Sequence, residues 1–191
     1  MPGEIFLIRH GETEWSRSGQ HTSRTDLPLT EEGRVRAQAL GQILQRILPA
    51  SGVALALSSP MRRAIDTCHL AGYQAEIEDD LREWDYGSYE GLTSGDIQKS
   101  VPGWTIWTGP VPGGESIAQV GARADRVMQR CLAVSGDVAL FSHGHMLRVL
   151  AARWLELAPE EGRLLGLDTA SVGALGWEHT TRVMRLWNRT A

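Results

Sequence analysis

Three short apolar runs along the chain each stop abruptly at polar residues. They cover 5–8, 53–57 and 138–141, and they end at Arg9-His10-Gly11, Ser58-Ser59-Pro60 and Ser142-His143-Gly144-His145. Continuous apolar runs of this length are typical of central parallel strands, which are buried on both faces. Open α/β sheets bind ligands at the carboxyl ends of such strands. We therefore predict that the polar residues after these runs border one crevice.

Apolar residues recur at helical spacing between the predicted strands, from Thr30 to Ile47, from Met61 to Cys68, from Ile117 to Leu132 and from Met146 to Leu155. Thr30 is a predicted N-cap, and Ser59 and Pro60 predict the start of the next helix. Shorter patterns predict an edge strand at 75–78 and a strand pair at 171–177 and 183–187. This alternation predicts an α/β fold with helices packed on a mostly parallel sheet.

The stretch 13–29 is rich in Gly, Ser and Thr and is predicted to be an irregular loop. Long loops in compact domains often cover a functional site. This loop carries hydrogen-bonding side chains that suit an anion, namely Ser16, Gln20, His21, Thr22 and Arg24. A solvated loop without a binding role is the alternative.

Composition narrows the class of protein. The 191 residues are 42% hydrophobic and 22% charged, which predicts one globular domain over 1–191. A net charge of −4 argues against nucleic acid or an anionic membrane and favours small-molecule partners. Cys68 and Cys131 fall in amphipathic patterns, which predicts buried thiols rather than a disulfide. With no secretory leader or long apolar segment in the sequence, we expect a cytoplasmic protein.

The tripeptide Arg9-His10-Gly11 is suited to phosphoryl transfer. The Arg9 guanidinium can grip a phosphate, and its charge disfavours the imidazolium form of His10. A neutral His10 could then attack phosphorus through a ring nitrogen. Gly11 would let the backbone approach a ligand or adopt a positive φ. The alternative is that His10 is only a hydrogen-bonded residue at a strand end.

Two further segments could complete such a site. Arg62 and Arg63 fall in the opening turn of a predicted helix, and spacing alone does not say which arginine serves the pocket. Glu83 and Asp85 lie in an acidic and aromatic segment, where desolvation would raise a carboxyl pKa and suit a proton donor. A surface acidic loop is the alternative. The irregular region that contains Trp104 and Trp107 could form a wall of the pocket, although tryptophans in such a region are more often part of the core.

Four motifs in order, Arg9-His10-Gly11, Ser59-Pro60-Met61-Arg62-Arg63-Ala64, Leu81-Arg82-Glu83 and Ser142-His143-Gly144, resemble the histidine phosphatase, or phosphoglycerate mutase-like, superfamily. The resemblance spans nearly the whole chain and implies a three-layer α/β/α fold. It implies that His10 is the nucleophile, that Arg9 and Arg63 clamp phosphate and that Glu83 is the acid and base. It also implies that His143, with Gly144 beside it, holds the phosphoryl group.

The resemblance implies a two-step mechanism without a metal or cofactor. His10 attacks a monoester while Glu83 protonates the leaving oxygen, and water then cleaves the phosphohistidine. The segments 13–16, 19–22 and 25–30 are most similar to the branch with bacterial acid phosphatases and sedoheptulose 1,7-bisphosphatases. Many members have asparagine where this chain has Ser16, so a direct Ser16 contact to phosphate stays open. Gln20, His21 and Thr22 are expected to contact the rest of the substrate.

A phosphatase of sugar phosphates or bisphosphates is the favoured interpretation. A mutase shares the phosphohistidine, but members that retain a bisphosphate generally have longer chains with lid segments. A metal-dependent hydrolase could use His21, His143 and His145, although no ligand helix supports it. A silent phosphate-binding module is disfavoured because all four motifs are intact. The sequence leaves both a monomer and a homodimer open.

Overall fold

A six-stranded sheet forms the centre of the computed structural model, which describes residues 3–48 and 52–190. The strands in chain order are β1 (Ile5–Arg9), β2 (Leu55–Ser58), β3 (Glu76–Ile77), β4 (Val138–Ser142), β5 (Ser171–Glu178) and β6 (Thr181–Thr190). Their order across the sheet is β3-β2-β4-β1-β5-β6. The first four are parallel, whereas β5 runs antiparallel to β1 and to β6. The predicted edge strand and strand pair are therefore confirmed.

Helices cover both faces of the sheet. They are α1 (Glu14–Ser18), α2 (Glu31–Ile47), α3 (Arg62–Leu70), α4 (Ser94–Ser100), α5 (Ile117–Leu132) and α6 (Gly144–Trp154), with 3-10 turns at Asp79–Leu81, Gly87–Tyr89 and Pro159–Leu164. Side chains of β1 alternate between the two cores because successive residues of a strand point to opposite faces. Ile5 and Leu7 pack with α5 and α6, and Phe6 and Ile8 pack with α2. The predicted three-layer α/β/α fold is confirmed.

The stretch 13–29 is more regular than predicted, because α1 lies within it. The Thr13 hydroxyl accepts from the Ser16 N–H, and the Ser16 hydroxyl accepts from the Thr13 N–H, which forms a reciprocal capping box. Gly19 ends the helix with a φ of 79°. The sequence signal for this short helix is Thr13 and Ser16 at Thr-x-x-Ser spacing, with Gly19 three residues after Ser16.

The start of α3 was predicted two residues too early. Met61 is its N-cap, and Asp26 of the 13–29 stretch supplies the missing cap by accepting from the Arg62 N–H at 2.8 Å. Ser59 does not cap the helix as predicted, because the helix begins only at Arg62; the Ser59 hydroxyl instead accepts from the Met61 N–H and from the His143 ring. A cap that comes from 36 residues away in sequence is invisible to local pattern reasoning.

Close backbone packing explains two further differences. A Cβ on Gly11 would lie 2.5 Å from the Gly33 carbonyl oxygen, so Gly11 permits α2 to approach the loop after β1 rather than a ligand to approach the backbone. Gly33 and Ala37 occupy this inner face of α2, whereas Val35, one of the apolar residues in the predicted helical pattern, is 53% exposed. On α2 the small residues Gly33 and Ala37, rather than the apolar Val35, mark the buried face.

Both cysteines are buried and free, as predicted. Burial raises the pKa of each thiol to about 12, so neither is a reactive thiolate. Within 3–48 and 52–190, no helix combines the length and the apolar character needed to cross a bilayer.

Candidate active site

The carboxyl ends of β1 and β4 bring two histidines together. Arg9 is paired with Ser142 in the parallel ladder, and the His10 N–H donates to the Ser142 carbonyl at 3.0 Å. His10 and His143 therefore follow neighbouring strands at the same level. Their ring centroids are 5.1 Å apart with an interplanar angle of 62°.

The His10 ring is held in one tautomer. Its Nδ1 lies 2.7 Å from the Gly11 carbonyl oxygen, and a carbonyl can only accept, so Nδ1 carries the proton. Burial, followed by the charges of Arg63 and Arg9, lowers the pKa of His10 well below 6.5. The imidazole is thus neutral near pH 7, and Nε2 keeps a free lone pair. The arrangement suits a nitrogen nucleophile.

The Arg9 guanidinium lies beside His10 and has an unused donor. One of its Nη groups donates to the Leu167 carbonyl, whereas its buried Nε has no hydrogen-bond partner among residues 3–48 and 52–190. A Cβ on Gly144 would lie 3.2 Å from the Arg9 Cζ, so the guanidinium packs directly on the first residue of α6. A buried donor without a partner indicates a place for an acceptor such as an anion.

Arg63 and His143 lie behind His10 and are both fully buried. The Arg63 Nε donates to the His143 Nδ1 at 3.2 Å, so the His143 proton is on Nε2, which donates to the Ser59 hydroxyl at 2.7 Å. Burial, with Arg63 as the next cause, lowers the pKa of His143 well below 6.5. The Arg63 Nη groups donate to the carbonyls of 22, 23 and 25.

A cavity of about 160 Å³ opens in front of His10. Its lining consists of Arg9, His10, Thr13, Ser16, Gly19, Gln20, His21, Thr22, Glu83, Tyr86, Gly144, His145, Arg148 and Leu167. Eight of the ten site residues expected from the sequence lie on this surface. The other two, Arg63 and His143, contact the site from behind rather than lining it.

Glu83 is the carboxyl group on the cavity wall. Its Oε1 accepts from the Trp84 and Met146 N–H groups at 2.9 Å each, and its Oε2 accepts from the His145 N–H at 3.0 Å. Two of these donors belong to the first turn of α6, so the start of this helix fixes the position of the Glu83 carboxyl group. Asp85, the other candidate, instead pairs with Arg24 and accepts from the Gly87 N–H.

The polar loop side chains lie on the cavity but already make internal bonds. The Ser16 hydroxyl belongs to the capping box of α1, and the Thr22 hydroxyl donates to the Gln20 carbonyl at 3.2 Å. The Gln20 amide donates to the Gly91 carbonyl at 2.8 Å. The buried His21 ring lies 4.6 Å from the Tyr86 ring, and burial lowers its pKa.

Five lining residues were not predicted, namely Thr13, Gly19, Tyr86, Arg148 and Leu167, and His145 was considered only as a metal ligand. Tyr86 Oη and His145 Nδ1 form a 2.6 Å hydrogen bond. Arg148 is four residues after Gly144 on α6, and therefore on the same helix face. Helical spacing from Gly144 was thus a signal for Arg148, whereas the others depend on loop geometry.

The three histidines considered for a metal site do not converge. The His21 and His145 rings are 6.2 Å apart, and both His143 nitrogens are bonded to protein groups. Across the described ranges, no cluster of three or more His, Cys, Asp or Glu side chains is placed to hold a metal ion. Trp104 is a core residue, the favoured alternative, and is buried against His21 and Tyr89.

The sequence and the fold both match known proteins. The family model for the histidine phosphatase superfamily (branch 1) matches residues 5–190. A solved structure of an open reading frame from Mycobacterium tuberculosis superposes with a TM-score of 0.94 at 42% identity, covering 100% of this chain and 99% of that one.

Characterised relatives include phosphatases and a mutase. An acid phosphatase of Mycobacterium tuberculosis is 43% identical, covering 97% of this chain and 92% of its own. A sedoheptulose 1,7-bisphosphatase of Saccharomyces cerevisiae is 34% identical, with coverages of 82% and 69%. A 2,3-bisphosphoglycerate-dependent phosphoglycerate mutase of Gloeobacter violaceus is 30% identical, with coverages of 82% and 78%.

Proposed function

Because the chain belongs to the histidine phosphatase superfamily, we propose that it is a single-domain phosphomonoesterase that acts through a phosphohistidine at His10. The observation that carries this proposal is the tautomer of His10. Its Nδ1–H donates to the Gly11 carbonyl, and its lowered pKa keeps Nε2 unprotonated and able to attack. The unpartnered Nε of Arg9 supplies a donor for a phosphoryl oxygen beside it.

In the first proposed step, His10 Nε2 attacks the phosphorus of a monoester. The P–N bond forms as the ester P–O bond breaks, and the Glu83 carboxyl gives its proton to the departing alkoxide. Arg9 and Arg63 offset the charge on the phosphoryl oxygens, which is the main requirement of this transition state. No metal ion is needed in this proposal, because the guanidinium groups supply the positive charge.

In the second step, water attacks the phosphohistidine. Glu83 takes a proton from the water, the P–N bond breaks, and inorganic phosphate leaves with His10 neutral again. For His143 to hold the phosphoryl group, its Nε2–H must exchange the Ser59 hydroxyl for a phosphoryl oxygen. Gly144 contributes by letting the Arg9 guanidinium pack against the start of α6.

Hydrolysis is favoured over a mutase reaction. The relatives at 43% and 34% identity are phosphatases, whereas the mutase is 30% identical. We propose small phosphorylated metabolites as substrates, with Ser16, Gln20, His21 and Thr22 forming the wall that contacts the part beyond the phosphate. The free, buried thiols agree with a cytoplasmic location.

A panel of phosphate esters tests this function directly. Sugar phosphates, sugar bisphosphates and phosphoglycerates are incubated with the protein, with and without EDTA, and inorganic phosphate is measured. We expect release that survives chelation, together with a trapped phosphohistidine that maps to His10 by mass spectrometry. Interconversion of phosphoglycerates with a bisphosphate primer and no phosphate release would instead assign a mutase. Loss of activity with EDTA would contradict the metal-free mechanism.

A further inference from the structure

Arg123 is a buried cation behind the active-site cavity that the proposed mechanism does not use. It lies in the second turn of α5, and its side chain is 11% exposed. It lines a second cavity of about 260 Å³, and Glu83 belongs to the lining of both this cavity and the cavity in front of His10. Glu83 therefore stands between the two cavities, and Arg123 borders the one that does not contain His10.

The Arg123 guanidinium holds the backbone of residues 80–83. Its Nη1 donates to the Asp80 and Arg82 carbonyls at 2.7 and 2.8 Å, and its Nη2 donates to the Glu83 carbonyl at 3.3 Å. Nη1 also lies 3.5 Å from the Met146 Sδ. Because the Met146 N–H donates to the Glu83 carboxylate, Arg123 contacts both the residue that carries this carboxyl group and a residue that holds it.

Glu115 extends the same set of bonds to residues 84 and 85. Its carboxylate accepts two bonds from Arg123 at 2.8 and 2.7 Å, and its Oε2 also accepts from the Asp85 N–H at 3.0 Å. Its backbone carbonyl accepts from the Trp84 Nε1–H, and its N–H donates to the Asp85 carbonyl, both at 2.9 Å. Arg123 and Glu115 together therefore hold the chain on both sides of Glu83.

The bonds of Arg123 distinguish it from the arginine beside His10. All three nitrogens of the Arg123 guanidinium donate to protein groups, and Glu115 offsets its charge, whereas the Nε of Arg9 has no partner within 3–48 and 52–190. A bidentate arginine–carboxylate pair also has a fixed geometry, which the single ammonium of a lysine does not reproduce. Arg123 is therefore suited to hold a segment in place rather than to bind a ligand.

We propose that Arg123, joined to Glu115, is a positioning residue for proton transfer by Glu83. This inference rests on the proposed function, in which Glu83 gives a proton to the departing alkoxide and later takes one from water. The carboxyl group must lie within hydrogen-bond distance of these oxygen atoms, and a misplacement of about 1 Å can cost about a hundredfold in rate. Loss of Arg123 frees the carbonyls of 80, 82 and 83, so we expect the Glu83 carboxyl group to be misplaced while His10 keeps its position.

Two phosphate esters with different leaving groups separate this role from a general loss of structure. The alkoxide of glycerol 3-phosphate needs a proton to leave, whereas p-nitrophenolate leaves without one. Rapid-quench experiments measure the single-turnover rate of phosphohistidine formation. In Arg123→Met we expect this rate to fall about tenfold to a hundredfold with glycerol 3-phosphate and about threefold or less with p-nitrophenyl phosphate, because only the first reaction uses the Glu83 proton. Equal losses on the two esters, or no loss on either, would overturn the proposal.

Cleavage of the phosphohistidine gives a second readout. Glu83 also takes the proton of the attacking water, so in Arg123→Met this step should slow about tenfold or more. The phosphohistidine should then accumulate with p-nitrophenyl phosphate, and nitrophenol should appear as a burst of about one equivalent before slow turnover. Cleavage of the phosphohistidine at the rate of the unmodified protein would contradict the proposal.

The matched control is Arg126→Met. Arg126 lies three residues later on α5 and is 56% exposed, and its guanidinium donates to the Asp80 carboxylate rather than to a backbone carbonyl. Both esters should react with this variant as with the unmodified protein. If Arg123→Met does not fold, Arg123→Lys and Glu115→Gln replace it, since each keeps part of the bond set. Both should show a smaller loss that is still selective for glycerol 3-phosphate, and an unselective loss would overturn the proposal.

Hydrogen exchange separates this inference from the proposed function. The His145 and Met146 N–H groups donate to the Glu83 carboxylate, so their exchange rates, measured by NMR without substrate, report whether this group stays in place. We expect both rates to rise at least about fivefold in Arg123→Met and to stay unchanged in Arg126→Met. If the unmodified protein hydrolyses no ester, the proposed function fails, and this measurement still decides whether Arg123 positions Glu83. Exchange in Arg123→Met at the rates of the unmodified protein would overturn the inference.

Discussion

The two walls of the cavity are built in different ways. One wall, the strand-end wall, comprises Arg9, His10 and Gly144, with His143 directly behind it, and its geometry is set by the β1–β4 register and the start of α6. The other wall, the loop wall, is the segment 19–25, whose first four residues line the cavity. It has no regular structure beyond a single bridge between Gln20 and Thr93. The strand-end wall is therefore positioned by the core, whereas the loop wall depends on a few side chains.

Arg63 and Glu90 both bond to the backbone of the loop wall. Arg63 donates to its carbonyl groups, and the Glu90 carboxylate accepts from the Ser23 N–H and the Thr25 N–H at 3.0 Å. A cation therefore holds the carbonyl groups of this segment, and an anion holds its N–H groups. The strand-end wall is thus positioned by the sheet, whereas the loop wall is positioned by the buried Arg63 and the half-buried Glu90.

Removal of the His10 imidazole should have the largest effect. In His10→Ala we expect kcat to fall by at least about 10⁴-fold and the phosphoenzyme to disappear, because the nucleophile is lost. Phosphate release and mass spectrometry measure both. His69→Ala, an exposed histidine on α3, is the matched control and should be unaffected. Unchanged hydrolysis in His10→Ala would contradict the assignment of the strand-end wall.

The pH dependence of stability tests the buried histidines in and next to the strand-end wall. His10, His143 and His145 each have a pKa lowered well below 6.5, mainly by burial. Below pH 6.5 the unfolded chain binds protons that the folded chain does not, so stability is full above this pH and is lost as the pH falls toward the folded values. The loss approaches about 1.4 kcal/mol per histidine per pH unit.

Urea unfolding between pH 7.5 and 5.5 measures this loss. His10→Ala removes one of these groups, whereas His21, whose pKa is also lowered by burial, is present in both proteins. The free energy of unfolding of His10→Ala should therefore depend less steeply on pH than that of the unmodified protein. Identical slopes in the two proteins would show that His10 is not held neutral by the fold.

Sequence patterns predicted the strand-end wall better than the loop wall for a physical reason. Apolar runs, helical spacing and strand ends are local signals, and they placed His10 and His143 at strand ends that border one crevice. Arg63 could be chosen over Arg62 only by resemblance, since both fall in one helical turn. In the structure Arg63 is fully buried, whereas Arg62 pairs with Asp66 on the surface.

Long-range bonds account for most of what sequence patterns did not predict. The Asp26 cap of α3 and the Glu90 bonds to Ser23 and Thr25 join residues 36 to 67 positions apart. No local period marks such partners. Arg148 differs from these, because its spacing from Gly144 was readable from the sequence but its contact with Trp107 was not.

Glu90 provides a test of the loop wall. Glu90→Ala leaves the Ser23 and Thr25 N–H groups without their acceptor, which costs about 1 to 3 kcal/mol for each buried group left unpaired. We expect KM to rise about tenfold with a smaller change in kcat, because the loop contacts substrate and not the transferred phosphoryl group. Glu90→Gln keeps one acceptor oxygen, so its KM should lie between those of the unmodified protein and Glu90→Ala.

The control for this change is Glu32→Ala, which removes an exposed carboxylate paired with Arg36 on α2. Steady-state kinetics on one preferred ester gives KM and kcat for each variant. If kcat/KM falls about tenfold because kcat falls while KM stays unchanged, Glu90 acts on the strand-end wall instead. The distinction between the two walls would then be wrong.

Gly144→Ala makes the smallest expected change, and it acts on the strand-end wall. Its new Cβ would lie 3.2 Å from the Arg9 Cζ, so the guanidinium must move by a few tenths of an ångström. Misplacement by 1 Å can cost about a hundredfold in rate, so we expect kcat to fall severalfold to about tenfold, with little change in KM. Gly95→Ala on α4, where the nearest atom is 3.7 Å from the new Cβ, is the matched control. A rise in KM rather than a fall in kcat would show that Arg9 serves ground-state binding alone.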